Sequence, residues 1–147
     1  MLVRLIYASR SNSDITIDSV RAIAEEARHN NEAKFLTGML GFARRSYLQV
    51  LEGSRDEVNA LYQRISRDPR HTEVSLLSFT EIHERAFGAW SMGFLGRLGK
   101  SERFVLQFGQ SDRFDPHTLT GESALRLLRA AQANVALSAA APTRVSA

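Results

Sequence analysis

Apolar and polar positions alternate with clear periods along the first hundred residues. Residues 2–8, LVRLIYA, form a short apolar run ending in the polar loop 9–14, which predicts a strand covered on both faces. A period of two places Val3, Leu5 and Tyr7 on one of those faces. Val20, Ile23, Ala24 and Ala27 then recur at helical spacing behind Thr16, a suitable N-cap. This helix is expected to stop near Arg28-His29-Asn30-Asn31, where two asparagines break the pattern. Residues 36–53, LTGMLGFARRSYLQVLEG, read as two strands joined at Ala43-Arg44-Arg45-Ser46. Ser54 and Glu57 have capping-box spacing, and a second helix carrying Val58, Leu61, Tyr62 and Ile65 on one face runs to the stop at Asp68-Pro69. Further strands are expected over 74–80 and near 90–94.

Strand, helix, strand, strand, helix, strand is the order of two right-handed βαβ halves. The expected class is therefore α+β, a ferredoxin-like βαββαββ mixed sheet with both helices on one face. Beyond Gly99 the composition changes, and helices are expected over 101–109 and 117–135. They would cover the open sheet face or pair with another subunit. The expected organisation is a domain over 1–97, a helical extension over 98–136 and a tail over 137–147, small and polar enough to be disordered.

Composition narrows the chemistry. The 147 residues, 44% of them hydrophobic, suit one domain with a buried core. With no cysteine, disulfides, thiolate metal ligands and cysteine nucleophiles are excluded. The apolar start is too short for a secretory signal, and no run approaches the ~18 residues of a membrane span, so a cytoplasmic protein is expected. A net charge of +3 spread over scattered arginines favours a solvated basic surface over nucleic-acid binding. His29, His83 and His117 lack metal-ligand spacing and are expected at the surface.

Gln49 is the anomaly, a side-chain amide set among Tyr47, Leu48, Val50 and Leu51. Left unpaired away from water, its donors and acceptors would cost roughly 1–3 kcal/mol, so protein or ligand must meet it. In the expected fold Tyr7 and Gln49 lie on adjacent central strands facing the helices, and Asn30 and Asn31 end the first helix. The faces carrying Ile23 and Ile65 flank the same gap. A flat ring would fit between the two isoleucines with amides at its polar edge. Taken singly, Tyr7, Ile23 and Ile65 are also ordinary core residues.

Taken together, Tyr7, Asn31 ahead of Leu36-Thr37-Gly38, Tyr47-Leu48-Gln49-Val50-Leu51-Glu52-Gly53, Asp68-Pro69-Arg70-His71 and Phe87-Gly88-Ala89-Trp90-Ser91-Met92 resemble the BLUF domain, the blue-light sensor using FAD. The resemblance covers about residues 1–97. It implies that Tyr7 is the light-driven electron and proton donor to the flavin, and that Gln49 links Tyr7 to the ring's N5 and C4 carbonyl. Asn31 and Asn30 would hydrogen-bond the ring's carbonyl edge or its side chain. Ile23 and Ile65 would hold the ring, while Arg64, Asp68 and His71 would lie near its ribityl and phosphate end. Trp90 and Met92, on the fifth strand, would exchange places near Gln49 and pass the signal outward. An amide suits the central role because it has one donor end and one acceptor end of similar shape. Returned rotated or as its tautomer, it would give the flavin carbonyl a new hydrogen bond and shift absorption to the red.

The match ends before the C-terminal region, where no cyclase or phosphodiesterase is encoded. The chain resembles short stand-alone BLUF proteins, which imply no enzymatic turnover and a signal passed to a separate downstream protein. The last two helices are the expected surface for that partner or for a homodimer. Two other readings share the strand order. One is an acylphosphatase-like hydrolase, with Arg10 binding phosphate and Asn31 or Asn30 orienting water. The other is an RNA-binding module using Tyr47 and Phe42 on the sheet face.

Overall fold

A computed structural model, which describes residues 1–98 and 102–137, traces the chain through five strands and four helices. In order these are β1 (Leu2–Arg10), α1 (Ile17–Glu32), β2 (Thr37–Ala43), β3 (Ser46–Ser54), α2 (Arg55–Arg67), β4 (Thr72–Ile82), β5 (Gly93–Arg97), α3 (Glu102–Phe108) and α4 (Gly121–Leu137), with a 3-10 turn at Pro116–Thr118. The sheet order is β4-β1-β3-β2-β5, antiparallel except where β5 lies parallel to β2. This is the expected ferredoxin-like mixed sheet. Strands β1 and β4 run longer than their apolar cores predicted, because polar Ser9, Arg10, Thr72 and Glu81 continue the pairing.

Alternation sorts the central strands into two cores. Val3, Leu5, Tyr7, Leu40, Tyr47 and Leu51 face α1 and α2. Ile6, Met39, Leu48 and Val50 face the other way and are buried with Leu119, Ala124, Leu127 and Leu128. The C-terminal helices thus cover the second sheet face. Phe42 and Tyr47 lie in the core beneath α1 and α2, so neither is on an open sheet face of the kind an RNA-binding module uses.

Several element ends differ from expectation. Helix α1 runs through both asparagines to Glu32, because Asn31 turns its side chain into the core instead of breaking the helix. A reciprocal capping box forms at α1, where Thr16 Oγ1 accepts from Ser19 N–H and Ser19 Oγ accepts from Thr16 N–H. At α2 Ser54 Oγ accepts from Glu57 N–H, but the Glu57 carboxylate lies 3.9 Å from Lys34 Nζ instead of returning to the cap. Strand β5 starts at Gly93, not near Trp90, because the Trp90 carbonyl is bound by Gly38 N–H at 3.0 Å while the ladder with β2 opens only at Met39↔Gly93. Gly38 is required there, since a Cβ would stand 2.0 Å from Val50 O.

The last helix begins later than His117. Asp115 closes the 3-10 turn by accepting from His117 N–H, and Thr120 then caps α4 by accepting from Ser123 N–H at 3.0 Å. His117 itself, expected at the surface, is mostly enclosed, with Nε2 2.7 Å from Glu73 O on β4. Of the tail expected over 137–147, Leu137 still belongs to α4, and 138–147 lie outside the described residues.

Candidate functional site

Helices α1 and α2 cross the same sheet face side by side, and their apolar stripes do not close completely over it. Between them lies a cavity of about 230 Å³, flanked by Ile23 and Ala27 of α1 and Leu61 and Ile65 of α2. Tyr7 and Gln49 line it from the central strands, and Asn30, Asn31, Arg64, Asp68 and His71 complete the predicted set. Such a volume suits a fused ring system rather than a whole dinucleotide.

Tyr7 and Gln49 are direct cross-strand partners, and both side chains are buried. The Tyr7 hydroxyl donates to Gln49 Oε1, and Gln49 Nε2 donates to Met92 Sδ at 3.1 Å. The amide anomalous in the sequence is therefore satisfied at both ends by protein. Burial, with smaller contributions from Tyr47, Tyr62 and Asp68, pushes the Tyr7 phenol far above its ordinary range. It is neutral at any physiological pH. The Tyr62 ring lies 5.7 Å from it, centre to centre.

Asn31, buried at the end of α1, donates Nδ2 to Ser91 O at 3.2 Å. That bond ties the cavity to the segment before β5. The same segment is held to β3 by buried Glu52, whose carboxylate accepts from Arg4 Nε at 2.8 Å, Ala86 N–H at 3.0 Å and Phe87 N–H at 2.7 Å. Three partners offset the desolvation of that charge. The two switch candidates separate: Met92 lies beside Gln49 under α1 and α2, whereas Trp90 is buried in the opposite core with Phe87 and Leu127.

On the α2 side, Asp68 is bound by Arg70 through Nε at 3.0 Å and Nη2 at 2.7 Å. The Arg70 hydrogen bonds pull the Asp68 carboxyl down to about 2. Burial lowers His71, opposed by Asp68, and its Nδ1 lies 2.8 Å from Ser9 Oγ. Tyr47 stacks at a tilt over His71, 5.0 Å between ring centres, and burial raises its phenol.

Glu26, Ala27, Leu40, Tyr47 and Leu61 also line the cavity and were not foreseen, and Arg70 of the Asp68-Pro69-Arg70-His71 motif joins them there. Periodicity carried most of the signal: Ala27 follows Ile23 by one helical turn, Leu61 precedes Ile65 by one, and Tyr47 shares the strand face of Gln49. Arg10, which the hydrolase reading needs as a phosphate ligand, is not among the lining residues. Its guanidinium is paired with Glu73 at 2.8 Å and Asp115 at 3.3 Å. Among the described residues no cluster of His, Asp or Glu could hold a metal, and no helix is long and apolar enough to cross a membrane.

The residues fit a flavin: two apolar side walls for a flat ring, amides at one end, and ionic groups where a polar chain would leave. Comparison with known proteins agrees. The BLUF profile, described as sensors of blue-light using FAD, matches residues 2–93. The chain is 34% identical over 92 residues to photoactivated adenylate cyclase subunit beta of Euglena longa, covering 62% of this chain and 11% of that protein. It is 32% identical over 92 residues to the blue light- and temperature-regulated antirepressor BluF of Escherichia coli (strain K12), covering 63% of this chain and 23% of that one. It thus spans less than a quarter of the length of either relative. Among solved structures, BlsA in its photo-activated state superposes with a TM-score of 0.78 at 32% identity, over 88% of this chain and 94% of BlsA. The dark-state structure of the BLUF protein BlrB superposes with a TM-score of 0.73 at 27% identity, over 90% and 96% of the two chains. A matched family profile over most of the chain, on a fold whose cavity has the shape and polarity for a flavin ring, places this protein in the BLUF family of flavin-based blue-light sensors.

Proposed function

We propose that the chain is a cytoplasmic photoreceptor that holds FAD in this cavity, has no enzymatic turnover of its own, and signals to a separate partner protein. The observation that carries the reading is the run of contacts at the sheet side of the cavity, Tyr7 Oη to Gln49 Oε1 and Gln49 Nε2 to Met92 Sδ. Ile23 and Ile65 would hold the ring, and Asn31 and Asn30 would meet its polar edge. Arg64, Asp68 and His71 would face the ribityl and phosphate portion.

A bound flavin supplies a strong oxidant made by light. The chain's own residues do the rest. Tyr7, neutral in its buried place, would give up an electron to that oxidant as its proton leaves along the bond to Gln49 Oε1. When the proton returns, the amide settles rotated or as its tautomer. Rotation would set Gln49 Oε1 against Met92 Sδ, two acceptors face to face, so the bond from Gln49 Nε2 would be lost and Met92 driven away. Met92 stands one residue before β5, and Trp90, two residues further back, is packed in the core beneath α4. Displacement of Met92 would therefore reach the α4 side of the molecule through Ser91 and Trp90.

A visible spectrum taken in darkness and under blue light tests the reading, with the released flavin separated by chromatography to tell FAD from FMN. A flavin band that shifts red and recovers in darkness is expected. A protein that stays colourless when offered FAD would overturn it.

A further inference from the structure

Phe35 occupies the position in the turn after α1 that glycine normally takes. Leu36 N–H donates to Asn31 O at 3.0 Å and Phe35 N–H to Glu32 O at 3.3 Å, the paired closure of a Schellman turn. That closure requires a left-handed residue, and Phe35 has φ 57°. A bulky side chain there carries a steric cost that glycine would not. Burial does not offset it, because Phe35 is 79% exposed. A single exposed apolar residue is ordinary. An exposed phenylalanine in a strained conformation is different, and it does not stand alone: Met1, 69% exposed, and Leu2 line the same shallow depression, together with the charged groups of Lys34, Glu57 and Arg85.

We propose that this face is a contact between two copies of the chain, in which each Phe35 enters the depression of the other. The proposal goes beyond the photoreceptor reading and does not depend on it. Two features favour a second copy over an unrelated partner. The projecting ring and the depression share one patch, as a two-fold contact needs, where residue i meets j and j meets i. The patch is also self-complementary in charge. Lys34 Nζ lies 3.9 Å from Glu57 Oε2 within one chain, a loose pair with both side chains about two-fifths exposed. Across a two-fold axis Lys34 of each copy would meet Glu57 of the other, forming the pair twice. The patch adjoins the segment leading to Met92, since Arg85 Nη1 donates to Thr37 Oγ1 at 2.8 Å and to Glu52 O at 3.1 Å.

Sedimentation velocity of the 147-residue chain over a wide concentration range tests the proposal, with Phe35→Gly, Lys34→Glu and the Lys34→Glu/Glu57→Lys swap alongside. The wild type is expected to pass from monomer to dimer as concentration rises. Phe35→Gly should move that transition at least about tenfold higher in concentration while raising the melting temperature, because glycine relieves the left-handed strain. Loss of the dimer would then not be a folding defect. Lys34→Glu should weaken the dimer, and the swap should restore it. A wild type that stays monomeric throughout would overturn the proposal and leave the face to another occupant. A Phe35→Gly dimer as strong as the wild type, or a swap that restores nothing, would place the contact elsewhere and overturn it equally.

Discussion

Tyr7 and Gln49 face each other directly in the β1–β3 register, and the phenol donates to the amide oxygen. The bond joins a phenol whose pKa burial raises to an amide whose other end is already engaged. Tyr7→Phe should fold and keep its flavin, with stability lowered by about 1 kcal/mol because Gln49 Oε1 loses its donor in a buried place. It should lose the stable red shift entirely. Thermal melting and a light-minus-dark spectrum measure the two effects, and an unchanged light cycle would rule out Tyr7 as the donor.

Met92 Sδ is the acceptor for the Gln49 amide. Met92→Leu conserves volume but removes that acceptor, so the dark state loses a hydrogen bond and the rotated amide is relatively favoured. Dark recovery should slow by roughly fivefold, the equivalent of about 1 kcal/mol. Decay of the red-shifted band after a blue pulse gives the rate. Recovery at the wild-type rate would mean that the sulfur does not hold the amide.

Acid should destabilise the α2 end of the cavity in two separate windows. Asp68 is lowered from 3.8 to about 2, first by the Arg70 hydrogen bonds, so its stabilisation is present above about pH 4 and lost as pH falls towards 2. The pair is partly exposed, so the contribution is under about 1 kcal/mol. The stability gap between wild type and Asp68→Asn should close over that window. His71 is lowered from 6.5 by burial, so its neutral form is favoured in the fold and stability declines once pH drops below 6.5. His71→Gln should flatten this upper slope, and melting curves across both windows would reveal a variant that leaves it unchanged.

Leu128 lies on α4 yet is buried with Ile6, Leu48 and Val50 of the sheet. Leu128→Ala should therefore cost about 2–5 kcal/mol in a single cooperative urea transition, the range for a fully buried leucine. Two transitions, with the flavin signal surviving the first, would instead mark residues 98–136 as a separable extension.

The strand and helix faces were legible because alternation needs only local spacing. A period of two put Tyr7 with Val3 and Leu5, and a period near 3.6 put Ile23 and Ile65 on the stripes that flank the cavity. Element ends were less legible. Asparagine usually breaks a helix, yet Asn31 is buried within α1, and the stop is a Schellman turn whose left-handed residue is phenylalanine. No local rule selects phenylalanine for that position.

By itself the sequence determined the order of the elements, the inward faces of β1, β3, α1 and α2, and the need to satisfy an amide at position 49, all consequences of periodicity and desolvation. Only the tertiary structure decided what satisfies it. Tyr7 and Met92 reach Gln49 from positions 42 and 43 residues away along the chain, so their meeting depends on strand register. Whether Met92 or Trp90 stands beside the amide likewise depends on where the β5 ladder begins. The ladder opens only at Gly93 opposite Met39, so residues 90–92 precede the strand, and Trp90 and Met92, which a period of two would set on one face, lie in opposite cores.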